Sequence, residues 1–149
     1  MKIQQSLYLI AAVALFSMTG QSVNAHEYYA KSFKVIHPWA LPTDPEAVSA
    51  KVFVRFEEIS ASDTLIGAQT SLAERVDLIS TKKKGSTVVS SKIDGIALPS
   101  GEAVDFLPDG SYLLLINLQT PLQWQRSYPM TLFFEKSGPV EVAISIGAH

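Results

Sequence analysis

Apolar and polar residues alternate with a period of two along much of the chain. Val140, Val142, Ile144 and Ile146 interleave with Glu141, Ala143 and Ser145, the spacing of a strand with one buried face. Tyr128 to Glu135 repeats the pattern, with Met130, Leu132 and Phe134 on one side. Tyr112 to Leu118 is nearly all apolar and predicts a central strand buried on both faces. Val52, Val54 and Phe56 predict another strand, Thr64 to Ala68 a short one, and Val76 with Leu78 the inner face of a third. Thr87 to Ser90 returns from Lys82-Lys83-Lys84-Gly85, a solvated hairpin tip. Phe33 and Val35 lead a strand that Pro38 is expected to stop. Pro42, Asp44 and Pro45 mark residues 40–50 as a loop, Pro108-Asp109-Gly110 is a turn, and Ser71 to Glu74 is a loop or brief helical turn. Short strands separated by turn residues predict one all-β domain, a β-sandwich or a Greek-key barrel.

The first 25 residues depart from this pattern. Lys2 precedes an apolar run from Leu7 to Phe16, and Val23-Asn24-Ala25 follows with small outer side chains. This is the layout of a cleaved signal peptide, with the cut expected after Ala25. The run is short for a membrane span, and an uncleaved anchor is the alternative. Residues 26–149 then form the exported domain, periplasmic if the source is a Gram-negative bacterium and with no membrane insertion after cleavage. That domain carries eleven basic and fourteen acidic residues, a net −3 with His neutral. The balance points away from nucleic acid and anionic membranes. The chain has no cysteine, which excludes thiolate metal sites and disulfides and gives no sign of a lipid-anchored cysteine at the cut. After cleavage only Met130 remains of three methionines, too few thioethers for an ordinary soft Cu(I) site.

The candidate chemistry lies in His26 and His37, two of three histidines. Cleavage after Ala25 would give His26 a free α-amine beside its imidazole, a ready bidentate chelate. A hairpin turning at Lys31-Ser32 pairs residues whose numbers sum to 63. Tyr28 then faces Val35, Tyr29 faces Lys34, and His26 faces His37. Opposed residues have Cα atoms about 4.5–5.5 Å apart and side chains on one face. The α-amine, the His26 Nδ1 and one His37 nitrogen would form a T-shaped three-nitrogen set, a histidine brace suited to Cu(II). Glu27, Asp44, Glu46 or a water is the expected source of any oxygen ligand. The plain alternative is a frayed terminal His26 and a surface or capped His37. His149, at the chain end, is left out of the site. Trp39, Trp124 and Tyr112 are expected to serve packing.

Several segments resemble the PCuAC-type periplasmic copper chaperones: His37-Pro38-Trp39-Ala40, Leu65-Ile66-Gly67-Ala68, Ala73-Glu74-Arg75-Val76-Asp77-Leu78, Ile96 to Gly101, the Pro108-Asp109-Gly110 turn with its strand, and Leu132 to Gly138. The resemblance runs in register across most of residues 26–149. It implies a cupredoxin-like Greek-key β-sandwich or barrel. The family's usual Cu(I) motif is a His, ten residues, a Met, twenty-one residues, then His-x-Met. Here those positions hold Ile79, Ser90, Tyr112 and Leu114, poor ligands for soft Cu(I). The resemblance is to variant members, associated with methane-oxidising bacteria, that lack this set and resemble a histidine brace.

Three functions follow as expectations. The first is a non-enzymatic carrier that holds Cu(II) and exchanges it with a copper-donating or copper-accepting periplasmic protein. The second is a metal-free interaction module that keeps the fold without the old site. The third, ranked last, is a copper oxidase or monooxygenase. Serine-nucleophile and phosphate-cradling motifs are absent from the sequence. Glu57 and Glu58 are strand neighbours that point to opposite faces, so they cannot act as a carboxylate pair.

Overall fold

The computed structural model describes residues 27–147. Among them every regular element is a strand: β1 (Glu27–Tyr29), β2 (Lys34–Ala40), β3 (Ser49–Glu57), β4 (Asp63–Gln69), β5 (Ala73–Lys84), β6 (Thr87–Ile93), β7 (Ile96–Leu98), β8 (Val104–Asp105), β9 (Ser111–Leu118), β10 (Ser127–Phe134) and β11 (Gly138–Ile146). The proposed 1–25 segment, His26 and His149 lie outside the described residues.

The strands follow the order β6-β5-β9-β3-β2-β11-β10-β4-β7, with β1 on β2 and β8 on β3. β3 belongs to two ladders. Ser49 to Val52 pair with β9, whereas Phe53 to Glu57 pair with β2 and Arg55–Phe56 with β8. The path folds over at β3, and its two ends, β6 and β7, are not paired to each other among the described residues. The result is a two-layer sandwich, one of the two forms the pattern allowed.

Alternating positions fill the space between the layers. Met130, Leu132 and Phe134 of β10 and Val142, Ile144 and Ile146 of β11 are all buried. β9 supplies Leu113 and Leu115 to the same core. Leu114, Ile116 and Leu118 are half-buried, so the central strand is covered less completely on its second face than its apolar run predicts. At the centre Phe56 meets Phe33, Phe106 and Phe134 with ring centroids 6.0, 5.4 and 5.9 Å apart.

Two local expectations are corrected. β2 does not stop at Pro38 but continues to Ala40. Its pairing with β3 shifts register between Ile36 and Trp39, and a bulge there accommodates a proline that has no N–H to give the ladder. Ser71 to Glu74 forms no helical turn, and β5 already begins at Ala73.

Candidate metal centre and its surroundings

The β1–β2 hairpin has the register expected from its sequence. Glu27 pairs with Ile36, Tyr28 with Val35 and Tyr29 with Lys34. The Ala30 N–H donates to the Phe33 carbonyl at 3.0 Å across the Lys31-Ser32 turn. Phe33 enters the core and packs at 4.7 Å on Phe134. The Ser32 carbonyl accepts from the Ser60 N–H at 2.8 Å, tying the turn to the segment after β3. The Ala143 N–H donates to the Tyr28 hydroxyl at 2.9 Å, so β1 is also held to β11.

Charge reinforces the outer face of this hairpin. The Lys34 ammonium lies 2.7 Å from Glu58 and 5.4 Å from the Tyr29 ring centre. Its pKa is raised, chiefly by the hydrogen bond to Glu58. On neighbouring β3, Arg55 bridges Glu57 and Asp105. The Glu57 hydrogen bond is the main cause of its raised pKa.

His37 is half-buried and stands at the bulge, with φ at +48°. This is the left-handed region, uncommon for residues with a Cβ. A bulge residue in that conformation re-aims its side chain relative to a regular strand. His37 lines a groove of about 200 Å³ together with Trp39, Arg55, Asp105 and Leu107. Of the oxygen donors expected from sequence, Glu27 is exposed on β1 and accepts from the Tyr29 hydroxyl at 3.3 Å. Asp44 and Glu46 are exposed in the loop after β2 and do not line this groove. Asp105 does. Its approach depends on β8 pairing with β3, which places Asp105 opposite Arg55, and nothing local in the sequence signals it. Among the described residues no three His, Cys, Asp or Glu side chains cluster as a metal site. His26, the other expected ligand, lies outside that set.

The positions of the usual Cu(I) ligands do converge. Ile79 pairs with Tyr112, and Leu114 follows two residues later on the same face of β9. Ser90 pairs with Thr81, two residues from Ile79, so it shares that face. The Ser90 and Thr81 hydroxyls lie 2.8 Å apart. Tyr112 meets Phe53 at 6.3 Å, and Phe53 meets Trp39 at 4.7 Å. The Lys51 ammonium sits 4.6 Å from the Tyr112 ring centre. Buried Ile79 and Tyr112, half-buried Leu114 and the hydroxyl-paired Ser90 therefore occupy these four positions.

A family model described as "Putative lipoprotein LpqE-like" matches residues 33–146. A curated sequence described as "Putative lipoprotein Lxx21020" from Leifsonia xyli subsp. xyli (strain CTCB07) is 27% identical over 88 residues, 58% of this chain and 53% of that protein. The match thus spans about half the length of that relative. Among solved structures, the copper-bound PCuAC domain from PmoF2 is 25% identical with a TM-score of 0.72, covering 84% of this chain and 100% of that one. The apo PCuAC domain from PmoF1 has 23% identity and a TM-score of 0.71, covering 83% and 100%. The Cu(I) form of DR1885 from Deinococcus radiodurans has 18% identity and a TM-score of 0.63, covering 85% and 84%. These last two likenesses are of fold alone. The cupredoxin-like all-β architecture expected from the sequence is the one found.

Proposed function

Because the chain belongs to the LpqE-like family and shares the fold of PCuAC domains, we propose that it is an exported copper-binding protein. It holds Cu(II) at its mature N-terminus for transfer or storage. His26 supplies its α-amine and Nδ1, and His37 supplies one imidazole nitrogen. Residues 1–25 are removed on export, and residues 26–149 carry the function. The protein acts as a carrier rather than an enzyme, and its partner is a periplasmic protein that gives or accepts copper.

The observation that carries this reading is the hairpin register. Its outermost described rung pairs Glu27 with Ile36, so the residue that follows this rung on β2 is His37 and the residue joined to Glu27 is His26. The hairpin is anchored by Phe33, Tyr28 and Lys34. Two nitrogen-bearing residues suit Cu(II), whereas Ile79, Ser90, Tyr112 and Leu114 do not suit Cu(I). The lipoprotein description of the family and of the Leifsonia xyli relative supports export.

The test is electron paramagnetic resonance of the exported chain, with its terminus verified as His26 and one equivalent of Cu(II) added. A stoichiometric type-2 signal with nitrogen coupling is expected. An additional residue before His26 and the substitution His37→Asn should each change or remove it. Asn tolerates the left-handed conformation, so this variant deletes the imidazole without adding backbone strain. Absence of stoichiometric binding, or binding indifferent to both changes, would reject the brace. It would leave a metal-free interaction module, a reading that the filled Cu(I) positions also favour.

A further inference from the structure

β5 and β6 extend beyond the body of the sandwich. β9 accompanies β5 only as far as the Ser80–Ser111 rung, while β5 and β6 continue pairing to Lys84–Thr87. Gly85 and Ser86 close the ribbon, and Gly85 has the positive φ of +64° that this tight turn requires. β6 is the outermost strand, and its other edge has no neighbour among the described residues.

This edge keeps only one of the usual protections. Natural edge strands are shortened, bulged, interrupted by proline or guarded by charge, lysine above all, and here only the lysines are present. β6 runs for 7 residues, Thr-Val-Val-Ser-Ser-Lys-Ile, with an unbroken register and no proline. At the opposite end of the strand order, β7 has only 3 residues. Val88 and Val89 are 56% and 40% exposed.

Charge defines the kind of partner. Residues 78–93 contain Lys82, Lys83, Lys84 and Lys92 and no acidic residue. This segment carries +4 within a chain of net −2, leaving −6 on the rest. Asp77 lies 3.2 Å from Lys92 and partly neutralises it. The three tip lysines are exposed. A second copy of the same cationic ribbon would meet like charge. A lipid surface fits poorly too, because neighbouring Val88 and Val89 point to opposite faces and cannot enter a bilayer together. A strand added beside β6 would contact both valines, one on each face. It would lie about 4.8 Å from β6 and about 10 Å from β5, within reach of the long lysine side chains.

We propose that β6 is a strand-addition site for an acidic, extended segment of a partner protein. Backbone hydrogen bonds supply the pairing, Val88 and Val89 supply contact on both faces, and the lysine tip selects acidic sequence.

The test titrates the full exported chain with a capped decapeptide of alternating valine and glutamate, and with its valine–lysine counterpart. Backbone amide shifts and hydrogen exchange are followed by NMR. The acidic peptide should bind and protect those β6 amides that point away from β5. The lysine peptide should not bind. Charge reversal at Lys82, Lys83 and Lys84 should weaken binding by about tenfold or more at low salt. Adjacent strand residues direct their N–H groups to opposite sides, so of Val88→Pro and Val89→Pro one removes an outward donor and spares the β5 ladder. That variant should keep native β9 amide shifts and lose the peptide. Binding of neither peptide, or of both equally, would overturn the proposal. It would equally fall if neither peptide bound but phosphatidylglycerol vesicles did so in a lysine-dependent way, or if sedimentation showed the chain already dimerised through β6.

Discussion

Asp63→Ala should be among the most damaging single substitutions outside the apolar core. Asp63 is 4% exposed at the start of β4. Its Oδ1 accepts from the backbone N–H of Thr64 at 2.8 Å and of Lys136 at 2.9 Å. Its Oδ2 accepts from the Ser137 N–H at 2.9 Å and hydroxyl at 2.7 Å. One carboxylate therefore fastens β4 to the turn between β10 and β11. Burial pushes its pKa up, but the Ser137 hydroxyl and the three backbone N–H groups outweigh that and hold it below the usual carboxylate value. Each hydrogen bond to a charged group contributes about 1.5–3 kcal/mol, and unsatisfied donors add a desolvation cost. The donors share one acceptor group and water can reach the Lys136 side, so the effects do not sum. A loss of about 3–4 kcal/mol is expected for Asp63→Ala, and about 2 kcal/mol for Asp63→Asn, whose amide would face the Ser137 N–H donor-to-donor.

Urea unfolding followed by circular dichroism measures both losses, and their pH dependence checks the cause. A carboxyl with a depressed folded pKa contributes its full stability above the unfolded value near 3.9. That contribution is lost as pH falls through the folded pKa. The gap between wild type and Asp63→Ala should thus be constant above about pH 5 and shrink below pH 4. A gap under 1 kcal/mol at pH 7, or one unchanged down to pH 3, would refute the assignment of Asp63 as a charged anchor.

Other expectations are briefer. Phe56→Ala removes a fully buried ring at the meeting point of Phe33, Phe106 and Phe134, and equilibrium unfolding should show a loss of about 3–5 kcal/mol. Glu58→Ala breaks only a solvent-facing pair with Lys34, so the same assay should register little or no change. Tyr28→Phe removes the acceptor of the Ala143 N–H. Hydrogen exchange at Ala143 should accelerate, and Cu(II) affinity should fall if the hairpin positions the proposed brace. Cu(II) affinity, measured by competition with a chelator, should itself drop as pH falls below neutral, because an amine of reference pKa about 7.7–8.0 and two imidazoles of about 6.5 must all be deprotonated.

Much of this fold is legible in the sequence where one face of a strand is buried. Met130, Leu132 and Phe134 announce β10, and Val142, Ile144 and Ile146 announce β11, because a slip of one residue would turn each set to water. The β1–β2 register is legible for a different reason: a short turn at Lys31-Ser32 fixes which residues of the two strands face each other. The continuation of β2 through Pro38 is not legible, since only the pairing partner reveals that the bulge has dispensed with the missing N–H. Asp63 is hidden as well. Its donors at Lys136 and Ser137 lie more than seventy residues away, and a polar residue at a strand end carries no period to betray them. The neighbourhood of His37 is legible only along its own hairpin. Arg55 and Asp105 arrive through β3 and β8, and so from a pairing that no local pattern specifies.

The left-handed backbone at His37 bears on how this position can drift in evolution. Histidine is among the few non-glycine residues, with asparagine and aspartate, enriched at such torsions. Most replacements, above all β-branched ones, would be screened out on conformational grounds before any ligand chemistry was tested. Substitutions that survive this filter should be mainly asparagine, aspartate or glycine, the first two each one nucleotide change from a histidine codon. A lineage that lost the imidazole would then keep an intact hairpin, so loss of the ligand would leave little mark on the fold around it.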